Sequence, residues 1–322
     1  MTEILPQERT ADATPAPARP RVLALVNTGG KTAATIGADA LRQRLADAFA
    51  AAGVEARVDL LSGGDLAQAL REAVALRDSF DALAVGGGDG TLGTAAAALA
   101  GTGIPLGVLP LGTLNHFARD LGIPPLLELA CLVIGEGFAR AIDVAEVNGR
   151  VFVNNSSIGI YPYMVETRDT QRRTLGLGKW GAMAMAFAWM LRRFPVHRLT
   201  IRTAEAALAH KTPCAFVGNN RYVLEGPALG TRDALDRGAL CVYVARSRSR
   251  LHFLLTMLKA MLGRMTPRAD FEERRTDAVV IGSRARRLRV ALDGELVKMQ
   301  PPLRYAIRRG ALRVLVPRVR VG

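Results

Sequence analysis

The segment Gly86-Gly87-Gly88-Asp89-Gly90-Thr91-Leu92-Gly93 follows the short apolar run Ala82-Leu83-Ala84-Val85. Glycines permit φ > 0 and bring backbone N–H groups against phosphate oxygens, and the Ala-rich helix expected next aims its positive end at the same place. Such a loop suits an anion. A carboxylate in its midst then needs a reason, and phosphoryl transfer supplies two: holding Mg²⁺ and taking a proton. Asp89 is therefore the candidate metal ligand and a candidate catalytic residue. The competing reading is an ordinary strand-to-helix turn with Asp89 as N-cap. Two nearby patterns fail on position. Gly88-x-Gly90-x-x-Gly93 matches a dinucleotide fingerprint, but it follows the third strand, and Asp120 is too distant to contact a ribose. Gly29-Gly30-Lys31-Thr32 matches the end of a Walker A loop, yet Leu25 stands where the leading glycine is required.

A second polar loop, Pro110-Leu111-Gly112-Thr113-Leu114-Asn115-His116, follows the next apolar strand. Gly112 adds backbone freedom, Thr113 a hydroxyl and Asn115 an amide at a helix start. Open α/β sheets bind ligands where such loops leave the carboxyl ends of adjacent strands.

The elements that must position these loops are legible as an alternation. Residues 21–26 read as a buried strand, 37–52 as an amphipathic helix closed by Gly53, 54–61 as a strand, and 65–77 as a helix capped by Asp65. The strand before Asp89, an alanine-rich helix over 94–100 and a strand over 104–109 ending at Pro110 complete a parallel sheet with helices on both faces. Beyond residue 140 short strands predominate, at 141–147, 151–155, 199–203, 214–217, 240–244, 279–281, 288–292 and 312–316. The expected fold class is α/β: an N-terminal doubly wound, mostly parallel domain over 21–140, and a mainly antiparallel β-rich acceptor domain over 141–322, with a cleft between them. The last residues are expected to pack back on the first domain. Residues 1–20 read as a disordered tail. Apolar helical segments at 181–191 and 251–265 are too short to span a bilayer; packed core helices, membrane docking and an acyl-chain pocket all fit them.

The 322-residue chain is 49% hydrophobic, enough for a large core. Cys131, Cys214 and Cys241 lack metal spacing and are expected as reduced thiols, and four scattered His offer no zinc site. No signal peptide is seen, which implies a cytoplasmic location. The net charge of +14 resides in residues 237–322, where 18 Arg and 2 Lys face 6 acidic residues. An anionic partner follows: an acidic lipid surface is favoured over any specific nucleic acid, and a solvated face is the alternative.

With both loops in place, the chain resembles the diacylglycerol kinase catalytic-domain family, which includes bacterial lipid kinases and sphingosine kinases. Gly87-Gly88-Asp89-Gly90-Thr91-Leu92 followed by Leu106-Gly107-Val108-Leu109-Pro110-Leu111-Gly112-Thr113-x-Asn115-x-Phe117-Ala118 carries the resemblance. It implies ATP and Mg²⁺ as cofactors, with Asn27, Thr28, Gly29, Gly30, Gly87, Gly88, Asp89, Gly90, Thr91, Leu92, Gly93, Gly112, Thr113 and Asn115 around the nucleotide. Asn154-Asn155-Ser156-Ser157-Ile158-Gly159 and Val217-Gly218-Asn219-Asn220 resemble landmarks of the second domain. Asp293-Gly294-Glu295 resembles the late motif that carries the proton acceptor. Chemistry agrees, because a lipid hydroxyl has a high pKa and needs a carboxylate within reach as it attacks the γ-phosphorus. Asp293 and Glu295 are the candidates, although an Asp-Gly turn of purely structural purpose also fits.

Departures from the family pattern are specific. Thr28 stands where proline is usual, His116 where many relatives carry an acid, and Arg237 where a second acid serves an ancillary Mg²⁺ site, so that site is expected to be absent or altered, with Asp236 or Asp233 a weak substitute. The nucleotide-contacting hydroxyl expected after the second strand is unassigned, Ser62 being nearest. The leading reading is an ATP- and Mg²⁺-dependent kinase of diacylglycerol or a related lipid, peripherally bound to an anionic membrane. Its rivals are an NAD-kinase-like enzyme with a soluble acceptor and a non-catalytic basic binding protein. The oligomeric state is open, a homodimer included.

Overall fold

The computed structural model describes residues 19–159, 196–223, 231–232, 234–246 and 271–318. The apolar segments 181–191 and 251–265, residues 1–18 of the tail, and Asp233 lie outside the described residues.

The first unit runs β1 (Arg21–Asn27), α1 (Lys31–Ile36), α2 (Ala38–Ala51), β2 (Glu55–Leu61), α3 (Leu66–Ala75), β3 (Ala82–Gly87), α4 (Asp89–Leu99), β4 (Leu106–Pro110), α5 (His116–Asp120) and α6 (Leu127–Glu136). Its strands pair in the order β2-β1-β3-β4, all parallel. β3 and β4 are buried along their whole length, as expected for apolar runs covered on both faces. Helix α2 packs on α6, and α3 on α4. Ala95 and Ala96 are fully buried, so α4 lies close against the sheet. Asp65 is the N-cap residue of α3 but makes no side-chain cap; it accepts instead from the Ser62 hydroxyl at 2.6 Å.

The remainder pairs antiparallel, except that β16 joins β4 in parallel. β5 (Ala139–Val147) and β6 (Arg150–Phe152) precede β7 (Asn155–Gly159), β8 (His197–Arg202), β9 (Ala207–Thr212), β10 (Cys214–Asn219), β11 (Leu240–Ala245), β12 (Phe271–Thr276), β13 (Ala278–Ser283), β14 (Leu288–Leu292), β15 (Glu295–Met299) and β16 (Leu303–Leu315). Among the described residues, β12-β11-β10-β7-β14-β15 form one sheet, while β16, β13, β8 and β9 extend the first sheet beyond β4. The 13-residue β16 ties the units together, pairing with β4, β5 and β13. A second core of Phe152, Ile158, Leu199, Ile201, Val217, Val242, Ile281, Val290, Leu303 and Tyr305 fills the space between the two sheets, each large side chain contributing about 1.5–3 kcal/mol.

Where the expected strand at 151–155 breaks, the chain leaves the first sheet as β6 and enters the second as β7. That crossover, Val153-Asn154-Asn155, is central to the site.

Candidate active site

Asp89 is the first residue of α4; Gly88 is the N-cap, and no side chain caps the helix. The ordinary N-cap reading of Asp89 is thereby corrected. Its Oδ1 accepts the Phe117 N–H at 3.0 Å, so the carboxylate bridges the two glycine-containing loops, and among the described residues Oδ2 has no partner. The loops touch elsewhere too: a Cβ on Gly112 would lie 2.5 Å from Gly88 Cα. None of Gly86, Gly87, Gly88 or Gly90 has positive φ, contrary to the sequence expectation. These glycines serve close approach rather than left-handed backbone. The clearest case is Gly112 against the Gly88 backbone; a Cβ on Gly90 would sit 2.5 Å from Glu295 Oε1 of the other unit, the movable tip of an exposed side chain.

The first-strand loop closes the opposite flank. Asn27 Nδ2 donates to Thr91 Oγ1 at 2.9 Å, and its Oδ1 accepts from Gly29 N–H at 2.9 Å. The Thr28 hydroxyl donates to Leu61 O at 3.0 Å, and Gly30 is the N-cap residue of α1. Asn115, at φ 49°, folds its amide back on Gly112, accepting from its N–H and donating to its O at 2.9 Å. Asn115 thus builds its loop rather than presenting a free amide, and Thr113 is exposed. Leu92 is fully buried in the first core, and a Cβ on the buried Gly93 would meet Asp293 Oδ2 at 3.2 Å, so neither offers a side chain to a nucleotide.

Asp293-Gly294 forms a two-residue hairpin between β14 and β15, with Leu292 paired to Glu295 and φ values of 47° and 87°. Positive φ at both central residues is the type I′ geometry that Asp-Gly favours. The turn is more than a connection. Asp293 Oδ2 accepts from Val153 N–H at 2.8 Å, and Oδ1 from Asn154 and Asn155 N–H at 2.8 and 3.0 Å. The carboxylate therefore holds the sheet crossover, and of its roughly four lone pairs one, on Oδ2, remains open. Burial pushes its pKa up to about 6, against the opposing pull of the three N–H groups and Arg232.

Asp89, Gly90, His116, Asp120, Asn154, Asn155, Tyr222, Asp293 and Glu295 line a single cleft of about 350 Å³ between the units. Beneath it lies Arg232, with a fully buried side chain, paired with Asp120 Oδ2 at 2.7 Å. Arg232 also donates to Val153 O and, at 3.0 Å, to Asn154 Oδ1. Asp143 is a second unanticipated hub: its Oδ2 accepts from Gly238 N–H and Asn220 Nδ2, and its Oδ1 from Gly310 N–H. The buried acid at 143 inside an apolar strand was a visible signal; Arg232, among many arginines, gave none. Asp236 is occupied by Arg140, and the Arg237 N–H donates to Asn220 Oδ1.

No cluster of three metal-ligating side chains occurs among the described residues. Mg²⁺ needs no such cage, since it binds through one or two carboxylates together with substrate phosphates and water. The open Oδ2 of Asp89, beside loops pressed together by glycine, fits that mode.

A parallel α/β unit faces an antiparallel unit across a carboxylate-lined cleft, an arrangement suited to phosphoryl transfer. Comparison with known proteins makes it particular. Residues 21–147 match the diacylglycerol kinase catalytic domain, and residues 163–316 match the YegS C-terminal NAD kinase beta sandwich-like domain. A probable lipid kinase YegS-like of Pseudomonas aeruginosa is 33% identical over 260 residues, covering 79% of this chain and 82% of the relative. The diacylglycerol kinase of Bacillus subtilis is 41% identical over 128 residues, 37% of this chain and 41% of that one. In fold, a putative diacylglycerol kinase from Bacillus anthracis superposes with a TM-score of 0.70 at 20% identity, over 94% of this chain and 99% of its own. The chain belongs to the diacylglycerol kinase-like family of lipid kinases. No helix among the described residues is long and apolar enough to cross a membrane.

Proposed function

We propose that the protein transfers the γ-phosphate of ATP, with Mg²⁺, to a hydroxyl of diacylglycerol or a related lipid at an anionic membrane surface. The observation that carries this reading is the meeting of Asp89 with the Asp293-Gly294-Glu295 hairpin in one cleft, from units far apart in sequence. Asp89 Oδ2 would hold the cation, and the loops at Asn27, Gly87–Gly90 and Gly112 would bind the phosphates. When bound, the metal–nucleotide pair supplies the phosphoryl group and neutralises its charge. Asp293 accepts the acceptor's proton through its open Oδ2 lone pair, with a basicity that burial has raised into the useful range. Glu295, exposed over Gly90, orients the hydroxyl. The decisive assay presents purified protein with ATP, Mg²⁺, a lipid extract and NAD, with mass detection of products. A phosphorylated lipid is expected; phosphorylated NAD alone would favour the soluble-acceptor reading, which the description of the second domain keeps in view.

Asp293 also sets a pH dependence. As a base it must be ionised, so activity is expected to fall about tenfold per pH unit below about 6 and to level off above it. Stability carries the same signature with opposite sense. The folded protein keeps this proton up to about 6, whereas an unfolded chain releases it near 4, so stability declines as pH rises from about 4 to 6. Urea melts across that range should lose this slope in Asp293→Asn, together with most of the activity.

A further inference from the structure

The positive charge that sequence reading assigned to residues 237–322 is partly spent within the fold. Arg274 and Arg275 pair with Glu272 and Glu273, and Arg308 with Glu146. A different set of cations is unspent, at the far end of the first sheet. β8 and β9 place Arg198 directly opposite Lys211, with Thr200 opposite Ala209; β13 sets Gly282 beside Thr200 and Val280 beside Arg202. Alternation puts Arg198, Thr200 and Arg202 on the face opposite the buried Leu199 and Ile201. The result is a groove of about 550 Å³ with a floor of small residues and a rim of Arg198, Arg202, Lys211 and Arg284.

Like charges directly opposite each other on paired strands are destabilising. Here nothing offsets them: no ion pair among the described residues involves Arg198, Arg202, Lys211 or Arg284, and no carboxylate lines the groove. The nearest acids in sequence, Glu205 in the β8–β9 turn and Asp277 before β13, stand outside it. An array of this kind is completed by an external anion. Val196, 40% exposed, precedes β8 beside this rim, and of the aromatic rings that stack a base no Phe, Tyr or Trp lines the groove, His210 being its one aromatic ring. A row of unpaired cations without a flat aromatic platform matches the phosphate headgroups of an anionic bilayer.

We infer that this groove docks the protein on the phosphate headgroups of an anionic phospholipid bilayer, separately from the catalytic cleft. The assignment deepens the membrane part of the reading above and is independent of its kinase part, because docking is read without nucleotide. The test is co-sedimentation of the full chain with phosphatidylglycerol–phosphatidylcholine vesicles at low salt. Removing one surface cation weakens such partitioning about fivefold, so Arg202→Gln is expected to weaken it about fivefold and Arg198→Gln/Lys211→Gln about 30-fold. The double variant keeps a Tm at or above that of the parent, since repulsion is relieved. A control, Arg42→Gln/Arg77→Gln on the first unit, should bind as the parent does. Equal losses in groove and control variants, or none in either, overturn the site. Displacement of the parent protein by millimolar inorganic phosphate alone, or preferential binding of a single-stranded oligonucleotide at the groove, overturns the bilayer as its occupant.

Discussion

Asp89→Asn is expected to lower kcat for lipid phosphorylation about a thousandfold with little change in stability. The substitution is isosteric: an amide oxygen in the place of Oδ1 can still accept the Phe117 N–H, now 3.0 Å away, so the contact between the two loops survives. What disappears is the negative charge that fits a divalent cation, and with it a favourable charge in the first turn of α4 worth about 0.3–1 kcal/mol. Asp89→Ala should show the same kinetic loss and a further 1–2 kcal/mol of destabilisation, roughly, because the Phe117 donor is then left unsatisfied. If the carboxylate acts chiefly in the transition state, kcat and kcat/KM fall together. Steady-state kinetics and urea melts on both variants check this. Activity of Asp89→Asn within tenfold of the parent would remove the residue from the chemistry.

The difference between those two variants also marks what sequence could and could not convey. The parallel unit was legible because buried apolar strands, Gly53 after a helix and Pro110 at the end of a strand are local signals, and the glycine-Asp loop sits where such a sheet presents ligands. The reason for its glycines was not legible. Gly112 is small because the Gly88 backbone of the neighbouring loop lies against it, and no local rule contains that contact. Edge strands without a clean alternation, β9, β12 and β15, were missed, as was the helix α1 between Gly30 and Gly37. Asp293-Gly294 was readable as a turn, and its acid was readable as chemistry. That the same carboxylate also ties down Val153, Asn154 and Asn155 required the second sheet to be in place. Leu92 shows the reverse, a motif residue grouped with the ligand shell whose side chain belongs to the core, so that only its backbone is left for such a contact.

Arg232→Met is expected to destabilise the protein by about 3–5 kcal/mol, the range for breaking one side of a buried ion pair. Its side chain is fully buried and that of Asp120 is only 6% exposed, so the carboxylate left behind would be both desolvated and unpaired. Three further acceptors, Val153 O, Asn219 O and Asn154 Oδ1, would lose a donor at once. Removing both charges is a different perturbation: Asp120→Leu/Arg232→Met should recover a large part of the loss, since a buried pair replaced by apolar groups is often close to neutral. The recovery should not extend to catalysis. Arg232 holds the carbonyl side of the crossover whose N–H side Asp293 holds, so the two residues fix one short segment from opposite directions. Without the arginine the segment relaxes, Asp293 loses its fixed place beside α4, and kcat in the double variant stays low while stability returns. Urea denaturation paired with lipid-kinase kinetics separates these effects. A single substitution costing less than about 1 kcal/mol, or a double variant as unstable as the single, would show that the pair is not desolvated as the structure places it.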